Sequence, residues 1–145
     1  LINMVVYNCY TDASTIESDI DYSSGLSAIL VNITDNRILK SIGQTKDIGN
    51  CTHAELSAIN LGLVLAKTVA NENDFVRIVS DSLSAIELIE SDEDPRNETM
   101  VNTTRTIKSR IDNFPCRVEL QWVRSHSEHP INDMADYIAY RHAQG

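Results

Sequence analysis

Apolar and polar positions divide the first part of the chain into strands. β-Branched and aromatic residues from Met4 to Asp12 predict a strand, and the polar, Ser-rich residues 13–24 predict a turn. Two more strands are predicted at Gly25–Asn32 and Arg37–Gln44, on either side of the turn signal Thr34-Asp35-Asn36. The short connections favour an antiparallel meander.

Helices dominate the middle of the chain. Residues Thr52 to Ala70 are apolar over most of the circumference of a helix, so this helix is predicted to be packed at the centre of the fold. A short apolar strand at Phe75–Ser80 and a helix at Ser82–Glu90 follow. Apolar residues at three- and four-residue spacing predict another helix over residues 99–114.

The C-terminal part adds one strand and one helix. Val118, Leu120 and Trp122 alternate with polar residues and predict a strand with one buried face. A last helix is predicted from about Asn132, a good N-cap residue. The order β-β-β-α-β-α-α-β-α predicts an α/β fold in one domain, residues 1–145, with three antiparallel strands, then two parallel strands, flanked by helices.

The charge balance argues against a nucleic-acid partner. The chain has 21 acidic and 12 basic side chains and a net charge of −9, whereas most proteins that hold phosphates are basic. That argument weakens if several carboxylates bind cations, because a bound divalent ion reverses the local field.

Cysteine usage and hydropathy bear on location. Cys9, Cys51 and Cys116 are scattered and odd in number, which does not indicate a disulfide framework or a zinc site. No apolar run reaches the roughly 18–20 residues of a membrane helix, and the N-terminus does not resemble a signal peptide. We expect a cytoplasmic or other reducing intracellular location, with no secretion and no membrane partner.

Four carboxylates are candidates for chemistry. Asp12 is predicted to end the first strand and Asp81 follows the fourth, and ligands gather at strand ends in α/β folds. Glu55 is predicted in the first turn of the central helix, and Asp136 near the start of the last one. Each residue alone is explained as readily by a turn, a helix cap or a solvated position.

The four carboxylates together indicate a cation site if the fold brings them into one cleft. Carboxylates in one cleft repel each other and need cations to coexist. All-oxygen ligands select Mg²⁺ or Mn²⁺. Two such ions suit phosphoryl chemistry, one activating the attacking water and the other stabilising the leaving oxygen.

Four sequence blocks resemble type-1 ribonucleases H. They are Tyr10-Thr11-Asp12-Ala13-Ser14, His53-Ala54-Glu55-Leu56-Ser57-Ala58, Val79-Ser80-Asp81-Ser82, and Trp122-Val123-Arg124-Ser125-His126 with the following His129-Pro130, Asn132 and Ala135-Asp136. The blocks occur in order on the predicted elements and span nearly the whole chain.

The resemblance implies a fold, an activity and a role for each residue. It implies a ribonuclease H-like fold and metal-dependent cutting of the RNA strand of RNA–DNA hybrids, with two Mg²⁺ (or Mn²⁺) and 5′-phosphate and 3′-hydroxyl products. Asp12 would bridge both metals, Glu55 and Asp81 would complete the site near the leaving oxygen, and Asp136 would bind the metal next to the attacking water. His126 would help to move protons or release product.

The resemblance also implies a substrate face that reads 2′-hydroxyl groups. Ser14, Cys51 and Thr52 would face the RNA strand, with His53 as a further contact and Asn132 among the substrate-binding residues. No basic, Trp-containing protrusion for gripping the hybrid is visible in the sequence. We therefore expect a monomer that a tethered nucleic-acid-binding module assists.

Other functions stay open at this point. The chain could be a catalytically weak or silent domain of a larger, reverse-transcriptase-type protein. It could also be another nuclease of the superfamily, such as an integrase or exonuclease, or a generic α/β binding protein. Retention of all four carboxylates and His126 favours the active hybrid endonuclease over these alternatives.

Overall fold

Strands and helices follow the predicted order in the computed structural model, which describes residues 3–17, 20–125 and 129–145. The elements are β1 (Val6–Glu17), β2 (Tyr22–Asn32), β3 (Arg37–Lys46), α1 (Cys51–Lys67), β4 (Phe75–Ser80), α2 (Leu83–Glu90), α3 (Glu98–Asp112), β5 (Arg117–Trp122) and α4 (Pro130–Ala143). The strands form one sheet in the order β3-β2-β1-β4-β5. Pairing is antiparallel among β1, β2 and β3, and parallel from β1 through β4 to β5, which confirms the predicted fold class.

Strand β1 is longer than the sequence pattern predicts. The prediction of a strand end at Asp12 and a turn over 13–24 is wrong, because β1 continues to Glu17 and pairs with Tyr22 at the start of β2. Hydroxyl residues that favour turns locally are satisfied here by cross-strand contacts, as in the 2.8 Å hydrogen bond between Thr15 Oγ1 and Ser24 Oγ. The parallel partner β4 stops pairing with β1 at Tyr10. Asp12 therefore lies within β1, just beyond the last residue of β1 that pairs with β4.

Helix α1 is the central packing element, as predicted. Its buried side chains include Leu56, Ile59 and Leu63, which pack in the main core with residues of β1 and β4. Gly62 allows a close approach to β1, since a Cβ atom at this position would lie 2.5 Å from Thr11 Cγ2. The helix begins at Cys51, so Glu55 lies beyond the first turn rather than in it.

The other face of the sheet carries α4. This helix packs on β1, β2 and β3, while α1, α2 and α3 lie on the opposite face. Gly25 of β2 makes the contact possible, because a Cβ atom there would lie 1.8 Å from the Ala139 carbonyl oxygen. Helix α4 begins at Pro130 with His129 as its N-cap residue. The predicted N-cap role of Asn132 is wrong, because Pro favours the first helical position and starts the helix earlier.

The edge strand β5 departs from prediction at one position. Val118 and Leu120 pack against the main core, but Trp122 is 44% exposed. Its indole N–H donates to the Asp81 carbonyl oxygen at 3.2 Å. No helix among the described residues is long and apolar enough to cross a membrane.

We predict that Gly25→Ala destabilises the fold by roughly 2 kcal/mol or more, because the new methyl group meets helix backbone that cannot rotate away. Gly43→Ala is the matched control, since its methyl group meets the end of the His142 side chain, which can move. Urea unfolding of both variants measures the effect. Equal losses of stability would contradict this account of the α4 contact.

Candidate active site

Asp12 and Glu55 meet at a backbone N–H group. The Ala13 N–H donates to Asp12 Oδ1 and to Glu55 Oε1, each at 2.9 Å. This donor is available because β4 stops short of it, which leaves that edge of β1 free. The two carboxylates, from β1 and α1, are thus tied to one point of the backbone.

Asp81 completes a three-carboxylate cluster. It directly follows β4, and its Oδ2 accepts a hydrogen bond from Ser125 Oγ at 3.0 Å. One carboxylate oxygen from each of Asp12, Glu55 and Asp81 lies within 4.8 Å of the others. Three distant segments of the chain therefore bring their acidic groups to one place.

Burial and repulsion raise the pKa values of Asp12 and Glu55. Burial, and next the charge of Asp81, raise the pKa of Asp12 to about 7. Burial and the charges of Asp12 and Asp81 hold the pKa of Glu55 well above its usual range. Without a cation, the Asp12–Glu55 pair therefore retains a proton near neutral pH.

One oxygen of the cluster has no hydrogen-bond partner among the residues that the structure describes. Glu55 Oε2 is buried and unpartnered in the described part of the chain, an arrangement that costs free energy unless something binds it. Oxygen-only ligands at short mutual distance fit Mg²⁺ or Mn²⁺. The cluster can therefore accept divalent cations.

Asp136 lies close to the cluster but outside the three-residue set. It is exposed on α4, and its charge contributes to the raised pKa of Asp12. The buried Ser27 pairs with Asp12 across β1 and β2, and its hydroxyl donates to the Ala135 carbonyl oxygen at 2.6 Å. This hydrogen bond fixes α4 beside Asp12, which places Asp136 at the solvent side of the cluster.

The sequence matches one family model over most of its length. The model of the RNase H family matches residues 5–144. The chain belongs to the RNase H family. No curated protein sequence matches this RNase H chain.

Solved structures share the RNase H fold at low sequence identity. The N-terminal RNase H domain of a Mycobacterium tuberculosis protein is 15% identical, with a TM-score of 0.79 over 97% of this chain and 94% of that one. RNase H1 from Halobacterium salinarum is 16% identical, with a TM-score of 0.78 over 96% and 98%. A foamy viral protease–reverse transcriptase in complex with an RNA/DNA hybrid is 17% identical, with a TM-score of 0.73 over 96% of this chain and 20% of that one.

Four of the five predicted substrate residues lie around the N-terminus of α1 and on β1. Cys51 is exposed at the first position of α1, and Thr52 is half-buried next to it. Ser14 lies on β1 two residues beyond Asp12. His53 is held by Thr103 of α3, whose Oγ1 lies 3.2 Å from His53 Nε2. Burial and the charge of Lys46 lower the pKa of His53, so it favours the neutral ring.

The structure bears differently on the predictions for His126 and Asn132. His126 lies outside the described residues, so its predicted role stays a prediction. Asn132 is only 3% exposed, and its Oδ1 is buried with no hydrogen-bond partner among the described residues. It lines a cavity with Tyr10 and His129, apart from the three carboxylates.

Sequence reasoning missed several supporting residues. Ser125 lies in one of the four sequence blocks, but nothing in the sequence indicates its hydrogen bond to Asp81. Ser27 and Thr103 contact residues more than 45 positions away along the chain. Only the pairing of β1 with β2 could have pointed to Ser27, because Ser27 lies opposite Asp12.

We predict that Asp12→Asn stabilises the metal-free protein at pH 8 by on the order of 2 kcal/mol. Because the folded-state pKa of Asp12 is raised above its ordinary value of 3.8, its protonation stabilises the fold. That contribution is complete below about pH 4 and is lost as the pH rises through about 7.

The test is urea unfolding in chelator from pH 4 to pH 8. The advantage of Asp12→Asn over wild type should grow across this range. Glu72→Gln, which removes an exposed carboxylate in a loop, is the control and should show little change. A constant difference between Asp12→Asn and wild type would contradict the proposed repulsion.

Proposed function

We propose that this chain is a metal-dependent endonuclease that hydrolyses the RNA strand of RNA–DNA hybrids and leaves 5′-phosphate and 3′-hydroxyl ends. The carrying observation is the cluster of Asp12, Glu55 and Asp81, in which one carboxylate oxygen of each residue lies within 4.8 Å of the others. Glu55 also has a buried oxygen that has no hydrogen-bond partner among the described residues. Membership of the RNase H family supports the same reaction class.

Two Mg²⁺ ions, with Mn²⁺ as a substitute, are the cofactors that these residues fit. Asp12, Glu55 and Asp81 would hold one ion, and Asp12 and Asp136 the other. Bound divalent ions would lower the pKa of water and stabilise charge on the leaving oxygen.

The residues of the chain prepare the site in three ways. The Ala13 N–H orients the Asp12 and Glu55 carboxylates, and Ser125 orients Asp81. A cation must displace the proton that Asp12 and Glu55 retain near neutral pH, so activity at limiting Mg²⁺ should rise with pH, and added Mg²⁺ should move this rise to lower pH. Exposed Asp136 lies where water has access to the cluster.

The substrate face is proposed to run from the cluster to the N-terminus of α1. Ser14, Cys51 and Thr52 would contact the 2′-hydroxyl groups that distinguish RNA from DNA. The neutral His53 ring, held by Thr103, would offer a further contact beside them.

A tethered module is the proposed partner for substrate affinity. The net charge of −9 opposes binding of a polyanion. The similar foamy viral domain is part of a much longer chain, of which this sequence covers 20%. Both observations fit a monomer that binds the hybrid weakly by itself and cuts it when a second module holds the hybrid. A catalytically weak domain of a larger protein, the alternative, fits them as well.

A cleavage assay with labelled RNA–DNA hybrid tests the activity, with RNA–RNA and DNA–DNA duplexes as controls, in Mg²⁺, in Mn²⁺ and with chelator. We expect cation-dependent cutting of RNA in the hybrid only. Asp12→Asn and Asp81→Asn should reduce the rate at least ~100-fold, since each removes a cation ligand. Glu72→Gln should cut like wild type.

Varying the concentration of the hybrid distinguishes weak affinity for the substrate from a lack of catalytic activity. If the tether idea is correct, cutting should rise steeply as salt is lowered and as hybrid concentration increases. Folded protein that does not cut at any concentration would overturn the proposed activity. Wild-type cutting by Asp12→Asn would overturn the site.

His126→Ala should lower the turnover number several-fold without abolishing cutting, because a histidine in the proposed role assists proton movement or product release rather than holding cations. Single-turnover and steady-state rates distinguish these two steps. An unchanged rate in both would remove His126 from the mechanism. His142→Ala, on α4 against β3, is the control histidine.

A further inference from the structure

A cavity of about 450 Å³ lies on the sheet face that α4 covers only in part. Helix α4 packs on β1, β2 and β3, and the β4–β5 part of this face stays largely open. The floor consists of Asn8 and Tyr10 of β1, with Arg77 and Val79 beside them in register on β4. Its volume lies in the range of small-molecule sites.

Two unsatisfied oxygens belong to the residues that line this cavity. Asn132 is 3% exposed and its Oδ1 has no hydrogen-bond partner in the described part of the chain. Asn8 Oδ1 is also buried and unpartnered, while Asn8 Nδ2 donates to the Tyr10 hydroxyl at 3.1 Å. Because both residues line the cavity, an occupant that brings N–H or O–H donors could satisfy these two acceptors.

The cavity also offers a positive charge. The Arg77 guanidinium lies 5.0 Å from the centre of the Phe75 ring, and no described carboxylate forms an ion pair with it. Arg77 stands beside Asn8, four residues before Asp12 on β1, so roughly 13 Å separates it from the carboxylate cluster. That distance exceeds the Debye length of about 8 Å at physiological salt, so an anion at Arg77 is largely screened from the cluster.

An aromatic pair closes the cavity. The His129 ring stacks on Tyr10, with ring centres 5.1 Å apart and planes at 29°. Tyr10 is buried whereas His129 is exposed at the surface. A flat ring next to amide groups suits a nucleobase, because stacking on aromatic side chains is a general mode of base binding.

We propose that this cavity binds a nucleoside 5′-monophosphate group, with the base at His129 and the unpartnered Asn oxygens and the phosphate at Arg77. Asn8 and Asn132 would accept hydrogen bonds from the N–H donors of the base. The physiological source, the 5′-phosphate end of cleaved RNA, rests on the proposed function. The binding itself does not.

The test is titration of the metal-free protein with guanosine 5′-monophosphate in chelator, followed by calorimetry and by NMR of the side-chain amides. Guanine has several N–H donors on one edge, which fits two acceptors. We expect saturable binding with shifts at Asn8, Asn132 and Gln121. Guanosine alone and inorganic phosphate alone should each bind at least ~10-fold more weakly.

Matched arginine variants locate the phosphate. Arg77→Gln should weaken binding at least ~10-fold. Arg117→Gln should leave it within about twofold, although Arg117 also lies over the Phe75 ring, at 5.6 Å, because it does not line the cavity. Gln121→Ala, at an exposed lining position, provides a second variant that should weaken binding without affecting the fold.

Several results would overturn the proposal. They are no saturable binding at millimolar nucleotide, equal losses in the two arginine variants, or equal affinity for phosphate and nucleotide. Because the titration uses no cation and no cleavage, it stands apart from the proposed activity. Nucleotide binding by a protein that does not cut hybrid would keep the site and remove only its link to cleaved RNA.

Discussion

Mutual repulsion among three carboxylates is the constraint on which this fold depends. Asp12, Glu55 and Asp81 come from β1, α1 and the end of β4, and burial strengthens their repulsion. Holding them together requires rigid support from each direction. The close contact at Gly62 fixes α1 on β1, and Ser125 holds Asp81 from the far side. Stability from the core is thus used to maintain a locally unfavourable arrangement.

This support depends on where the strands of the sheet stop pairing. Strand β4 stops pairing at Tyr10 while β1 continues with β2. The step between them frees the Ala13 N–H and gives the Glu55 side chain room to reach Asp12. Helix α4 approaches from the other face, guided by Gly25 and the Ser27 hydrogen bond. The cluster is therefore a product of sheet topology as much as of acidic residues.

Periodicity predicted the order of elements, because it is a local property. The resemblance to type-1 ribonucleases H selected four carboxylates, of which Asp12, Glu55 and Asp81 form the cluster. Sequence patterns did not predict that Asp12 lies within β1, since Ser14 and Thr15 favour a turn until β2 pairs with them. Alternation correctly assigned Val118 and Leu120 to the core. The exposure of Trp122 depends on β5 being an edge strand, which no local pattern reveals. Contacts such as those of Ser27 and Thr103 join distant residues and required the assembled fold.

The length of the β1–β2 hairpin has a consequence for how such a chain can vary. Pairing runs on from Asp12 and Ser27 to Glu17 and Tyr22, so residues added or lost at the tip leave the register at Asp12 unchanged. A single residue inserted between Tyr10 and Asp12 would instead turn the carboxylate to the opposite face. Insertions and deletions should therefore be found at the hairpin tip of related chains. None should occur within the four residues before Asp12.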